Sequence, residues 1–316
     1  MSIHMRRRCA IALLALLTLT TALAGCASGQ TGSTPAATHA GGSSGQVASL
    51  STSTPTQPST AATPRATSTA KPTTTSSATS GLGAYSFPLL PPRSPLPSEA
   101  FCAAHIQRST WEPRPQNQAA NASVPTSAQI ASLSPWDDSI GVDPQADQLR
   151  KQITGNFTGT TDEILQWVAC KWGVPVDVVR AEAVVESYWS QHQVGDWSTT
   201  QSECPPGTWT GSGCYRSYGI LQIMYQYFAS SWPMSRDDTA FNAEYVYGII
   251  RTCYEGWTTY LSERTPLPGY SAYHAGDLWG CLGRWYSGSW YDQGAVDYIA
   301  QVKAAYEQKP WRSSGF

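Results

Sequence analysis

No aspartate or glutamate occurs before Glu99, so the first 98 residues of this 316-residue chain carry no side-chain negative charge. Large apolar residues are also scarce from residue 27 until Phe87-Pro88-Leu89-Leu90, and Ser, Thr, Ala, Pro and Gly take their place. Such a composition cannot bury enough surface to offset the entropy of ordering, which excludes a folded N-terminal domain. Missing too is any apolar run long enough to cross a bilayer. The best, from about Ile11 to Leu19 behind Arg6-Arg7-Arg8, has the length of a secretory signal core. His105, His192 and His274 show no metal-ligand spacing, so no metal and no cofactor is expected. Basic excess is absent from the remainder as well. Residues 98 to 316 hold all 22 acidic but only 14 of the 20 basic residues, a net charge near −8 that argues against a nucleic-acid partner.

What is present divides the chain into four parts. Residues 1–25 read as a signal peptide ending in Leu23-Ala24-Gly25-Cys26, which resembles the bacterial lipobox, with Cys26 acylated and left as the first mature residue. Residues 26–97 read as a lipid-anchored tether whose root-mean-square span as a coil of about 70 residues is roughly 45 Å. Its far end, Pro88 to Pro97, is expected to stiffen into polyproline II. Residues 98–159 are rich in Pro, Asn, Ser and Gln and are expected to wrap the domain as loops with short helices. Residues 160–316 carry the motifs. The protein is expected to be exported, held to the cell membrane by its lipid, facing the cell wall, and monomeric.

Helical signals dominate the last part. Thr160 and Glu163 form a capping box for a helix over 161–172 that Gly173 ends, and Pro175 starts the next helix. Phe241, Tyr245, Ile249 and Cys253 recur at four-residue spacing in a helix expected over 239–262, and Ala295, Tyr298, Ile299, Val302 and Tyr306 do so in the last one. Between residues 190 and 216, Gly195, Gly207, Gly211, Gly213 and the Pro205-Pro206 pair suggest a long loop with a short hairpin. The expected fold class is therefore all-α with a loop-rich insert. Cys9 leaves with the signal and Cys26 is taken by lipid, so six cysteines remain for disulfides in an oxidising compartment. Cys204 and Cys214 bracket a turn-rich loop whose closure contributes roughly 3 kcal/mol on the chain-entropy model. Cys253–Cys281 would pin the long helix to the segment after Tyr273, which leaves Cys102–Cys170.

One carboxylate stands out for chemistry. Glu186 ends the helix that begins at Pro175 and is followed by a glycine-led turn, Ser217-Tyr218-Gly219-Ile220-Leu221-Gln222. Sugar cleavage needs a carboxylic acid still protonated near neutrality. The helix C-terminus and the apolar neighbours Val185, Tyr188 and Trp189 are both expected to push Glu186 that way. All 13 tryptophans lie between Trp111 and Trp311; most are expected in the core, with Trp189 and Trp197 the candidates to stack on a sugar.

The helix from Gly173 to Ser187 resembles the catalytic helix of soluble lytic transglycosylases, relatives of goose-type lysozyme, and further motifs follow in the family's order over about 160 to 308. Ser217 to Ile223 is similar to the family's glycine-leucine-x-glutamine turn, Asn242 matches its asparagine at the start of the long helix, and Tyr273-His274-Ala275-Gly276 its tyrosine-asparagine-alanine-glycine. Tyr298 matches a tyrosine of its last helix. The resemblance implies a lysozyme-like domain acting on peptidoglycan strands, with Glu186 catalytic and Ser187, Gly219, Gln222, Tyr273, Tyr298 and Asn242 binding substrate. It implies that Tyr273 approaches the glutamate. His274 and Gly294 depart from the pattern, in place of an asparagine and a glutamate.

A single glutamate implies the family's reaction, in which the β-1,4 bond between N-acetylmuramic acid and N-acetylglucosamine breaks and a 1,6-anhydro end forms. A hydrolytic muramidase or chitinase stays open as the alternative, with Asp196, Glu203 or Asp277 holding the water, as does a non-catalytic wall-binding lipoprotein.

Overall fold

The computed structural model describes residues 87–316. The signal sequence, Cys26 and the tether up to residue 86 lie outside the described residues. Among those described, the helices are α1 (Glu99–His105), α2 (Gln118–Asn121), α3 (Ser127–Ala131), α4 (Asp147–Arg150), α5 (Thr161–Trp172), α6 (Val176–Ser187), α7 (Met234–Asp237), α8 (Thr239–Tyr254), α9 (Leu278–Ser287) and α10 (Gln293–Gln308). A small antiparallel sheet in the order β1 (Val194–Ser198), β2 (Cys214–Tyr218), β3 (Ile223–Met224) sits between α6 and α7. Its register pairs Val194 with Tyr218, Trp197 with Tyr215 and Ser217 with Met224. The domain is mainly helical, as its patterning requires.

Local chemistry sets the helix ends. The Thr160 hydroxyl accepts from the Glu163 amide while Glu163 Oε2 accepts from the Thr160 amide at 2.9 Å, and Gly173 closes α5 at φ +61°. Left-handed Tyr188, at φ +53°, terminates α6 after Pro175 has opened it. Helix α8 stops at Tyr254, short of residue 262, because Gly256 turns at φ +86° and the chain re-forms only as a 3-10 turn, Thr259–Glu263. Three disulfides, Cys102–Cys170, Cys204–Cys214 and Cys253–Cys281, tie α1 to α5, close the loop before β2, and join α8 to α9.

The folded chain starts before residue 98. The Leu90 amide donates to the Gly173 carbonyl at 2.9 Å, and Arg251 donates to the carbonyls of Leu90 and Pro91 at 3.1 and 2.9 Å. Phe87 and Leu90 give this stretch apolar anchors, so residues 88–97 pack on the domain and are not part of a free spacer. Arg93 sits at φ +65°, which is incompatible with polyproline II at that position.

Six tryptophans, Trp167, Trp172, Trp189, Trp285, Trp290 and Trp311, are fully buried and fill the core between α5, α6, α8, α9 and α10. Three ionic nodes are buried with them, one of them the pair of Arg251 and Glu255 at the end of α8. Lys171 of α5 meets Glu244 of α8 and Glu99 of α1, and donates to the Gln152 carbonyl at 2.6 Å. Arg180 of α6 forms a two-pronged pair with Asp162 of α5, Nε to Oδ1 at 2.7 Å and Nη2 to Oδ2 at 2.9 Å. Both side chains of that pair are all but inaccessible.

A buried pair of this kind costs most when one member is left alone. Arg180→Leu strands the Asp162 carboxylate in the core and is expected to lower unfolding free energy by about 3–5 kcal/mol. Urea denaturation of the variant reads this directly. A loss below about 1 kcal/mol would show that water or another cation reaches Asp162.

Candidate active site

Glu186 lies in the last turn of α6 and is half-buried, so its carboxyl faces the outside from the end of a helix whose other side is core. From α10, the Tyr298 hydroxyl donates to Glu186 Oε1 at 2.7 Å. The Tyr298 hydroxyl also lies 3.3 Å from Oε1 of Glu182, one helical turn below Glu186 and fully buried. Tyr247 of α8, also buried, faces Glu182, although neither its hydroxyl nor Glu182 Oε2 completes a hydrogen bond of normal geometry. Tyr286 of α9 stacks flat on Tyr298, ring centres 4.7 Å apart. Two carboxyls and two phenols therefore share one small region between α6, α8 and α10.

Burial decides their protonation. It pushes the Glu182 carboxyl up to about 8, with the neighbouring Glu186 adding to the shift and the two tyrosine hydroxyls opposing it. Burial first, and the adjacent carboxylates after it, holds Tyr247 and Tyr298 well above the usual phenol range, so both remain neutral donors.

The turn after β2 is fastened to the end of α6. The Ser187 hydroxyl donates to the Ile220 carbonyl at 2.8 Å, the Ile220 amide donates to Gln191 Oε1 at 3.0 Å, and the Leu221 amide donates to Asn242 Oδ1 at 2.9 Å. Asn242 Nδ2 donates to Tyr218 O and Ser235 O. Gly219 is required here, because it has φ +87° and a Cβ would lie 2.1 Å from Asn242 Nδ2. Gln222, left-handed at φ +51°, donates to the carbonyls of Gln193 and Gly219 at 3.0 and 2.8 Å. Ser187 and Asn242 thus use their polar atoms within the protein, as scaffolding for the turn.

The loop following Glu186 is braced by the segment that sequence left without a motif. Arg114 donates to the Tyr188 carbonyl at 2.7 Å and Asn117 to the Trp189 carbonyl at 2.7 Å. With Tyr188 and Trp189 both at positive φ, the chain reverses and drives the Trp189 indole into the core, where Nε1 donates to the Arg180 carbonyl at 2.9 Å. Trp189 is therefore a core residue and not a sugar platform. Trp197 stays 48 % exposed on β1, edge-on to Tyr215 of β2.

Tyr298, from α10, donates to Glu186. The hydroxyl of Tyr273 instead donates to the Cys253 carbonyl at 2.8 Å and accepts from the Thr258 amide at 3.0 Å, closing the loop after α8. Of the other acids, Glu203 is paired with Arg216 at 2.6 Å and Asp277 caps α9 while accepting from Tyr291. Asp196, at φ +56° in β1, accepts from the Ser217 hydroxyl of β2. Motifs alone do not single out Glu182; the signal for it is an acid four residues before Glu186, on the same face of the helix. Among the described residues no group of His, Cys, Asp and Glu is placed to hold a metal ion.

Glu182 makes stability depend on pH. Unfolded, it loses its proton near 4.5; folded, near 8. Between those values the unfolded chain binds fewer protons, so this group's contribution falls as pH rises through the window and is flat above it. Thermal unfolding at pH 5.5 and pH 8 should show a steeper decline for the wild type than for Glu182→Gln. Equal slopes would contradict a buried neutral Glu182.

The chain matches no protein-family model, and no curated protein or solved structure matches it.

Proposed function

We propose that this chain is a peptidoglycan lytic transglycosylase with a lysozyme-like catalytic domain, in which Glu186 is the only acid/base. The observation that carries the reading is the 2.7 Å hydrogen bond from Tyr298 to Glu186, at a helix end to which the turn Ser217 to Ile223 is also fastened. Three motifs from distant parts of the sequence, those of Glu186, Gly219 to Gln222 and Tyr298, are thereby joined at the C-terminal end of α6, the turn through Ser187 and Tyr298 through Glu186.

Glu186 in its protonated form donates to the oxygen bridging N-acetylmuramic acid and N-acetylglucosamine. The bond to C1 breaks and the leaving sugar departs with the proton. As a carboxylate, Glu186 then takes the proton of the muramic C6 hydroxyl while that oxygen closes on C1, giving the 1,6-anhydro sugar and restoring the acid without water. The substrate's N-acetyl group stabilises the positive centre in place of an enzyme nucleophile. Capture by a hydroxyl already held on the substrate is favoured over a free water. Export and a lipid anchor at Cys26 place the enzyme beside the wall.

A hydrolase on the same scaffold is the second reading, favoured by one observation. Glu203 and Asp277 are committed to Arg216 and to a helix cap, but Asp196 is bonded to a serine hydroxyl and keeps acceptor capacity for a water.

Glu186→Gln keeps the size and the contact to Tyr298 while removing the acid. Lytic activity on purified sacculi is expected to fall by about 10³-fold or more, with thermal unfolding close to the wild type. Activity above a few per cent in a folded variant would remove Glu186 from its role.

A further inference from the structure

Glu182 lies within the stretch that resembles the catalytic helix, but the resemblance assigns it no role and it takes no step in the reaction above. A carboxyl with no accessible surface is nevertheless expensive to keep. The groups that act on it are Glu186 from its own helix, Tyr247 from α8 and Tyr298 from α10, with Tyr286 of α9 stacked behind Tyr298. No cation is among them. Asp162 of α5 and Arg180 neutralise each other, and Glu244 of α8 is matched by Lys171. Without a cation, the carboxyl keeps its proton through neutrality and is a hydrogen-bond donor.

A phenol has one hydrogen to give. Tyr298 lies 2.7 Å from Glu186 and 3.3 Å from Glu182, so the hydrogen goes to Glu186 and the phenol oxygen is left to accept. We propose that Glu182 is a positioning residue. Its protonated carboxyl donates to the Tyr298 hydroxyl, which directs the Tyr298 hydrogen onto Glu186 Oε1 and fixes the orientation of the catalytic carboxyl. Ionisation of Glu182 would turn that donor into a second acceptor. The Tyr298 hydrogen would then be contested, and a second negative charge would stand one turn from Glu186. The site is thus set to lose its geometry as pH rises through the range where Glu182 gives up its proton.

This inference rests on Glu186 being the acid/base, and the test separates the two. The full chain is compared with Glu182→Gln, which keeps a donor toward Tyr298 but cannot ionise, and with Glu182→Leu, which keeps neither. On sacculi, Glu182→Leu is expected to lower kcat by about tenfold or more at pH 6.5 with KM little changed, and Glu182→Gln to recover most of that loss. The alkaline decline of wild-type activity near pH 8 should move upward in Glu182→Gln. Should the leucine variant fail to fold, this alkaline limb decides alone. A leucine variant as active as the glutamine variant, or a limb unmoved by Glu182→Gln, overturns the proposal.

Carbon-13 titration of the glutamate side-chain carboxyls gives a readout independent of lysis. The wild type should contain one carboxyl titrating near 8 that both variants lack. The Glu186 resonance should shift strongly in Glu182→Leu and little in Glu182→Gln. If the wild type shows no lytic activity, the reading of Glu186 fails, while these spectra still test the bond between Glu182 and Tyr298. A Glu186 resonance unchanged in Glu182→Leu overturns it.

Discussion

The buried pair between Arg180 and Asp162 sets the roll of α6, and the site depends on that roll. At 100° per residue, Glu182 lies about 200° around the helix from Arg180, and Glu186 about 40° beyond Glu182. An arginine fixed by two bonds to α5 therefore aims both glutamates at the opposite side, where α8 and α10 supply Tyr247 and Tyr298. Arg180 also ties the helix to its own C-terminal loop, because its carbonyl receives the indole hydrogen of Trp189. A rotation by one residue would place Ala181 or Ala183 where Glu182 now stands, and Val185 or Ser187 where Glu186 stands. The pair's worth lies in this orientation, since desolvation offsets much of its attraction.

Around that helix, polar side chains mostly serve the backbone. Ser187, Gln191 and Asn242 satisfy the carbonyl and amide of Ile220 and the amide of Leu221, in a turn that cannot satisfy itself through a sheet or helix ladder. Arg114 and Asn117 do the same for the carbonyls of Tyr188 and Trp189. Rigid loops of this kind leave Glu186 with few ways to move. On the proposed reading, the acid is thereby held where a proton can be given and taken back from one place, as a single-residue mechanism requires.

The helices with strong end signals could be read from sequence. The Thr160 capping box and Gly173 bound α5 as expected, because cap and stop are local chemistry. Helix α8 was overextended by the apolar spacing, since the break at Gly256 depends on a left-handed turn that periodicity does not register. The packed stretch from Phe87 reads as tether in the sequence because its composition is that of a linker and its anchors lie across the fold at Gly173 and Arg251. In the candidate site, the motif points to Glu186, and the structure shows its carboxyl accepting from Tyr298. Trp189 was misplaced because two consecutive left-handed residues reverse its direction. Glu182 was missed because an acid in a helix usually faces water, and only α8 and α10 show that this one does not.

The central claim is that Glu186 acts without a partner that activates water. It is tested most directly by the mass of the products from purified sacculi, digested by the full chain and analysed without chemical reduction. The account predicts muropeptides lighter by one water than those from a lysozyme control, with muramic ends that borohydride leaves unchanged. Products of full hydrolytic mass with reducible ends would contradict it and move the chemistry to a water held by Asp196.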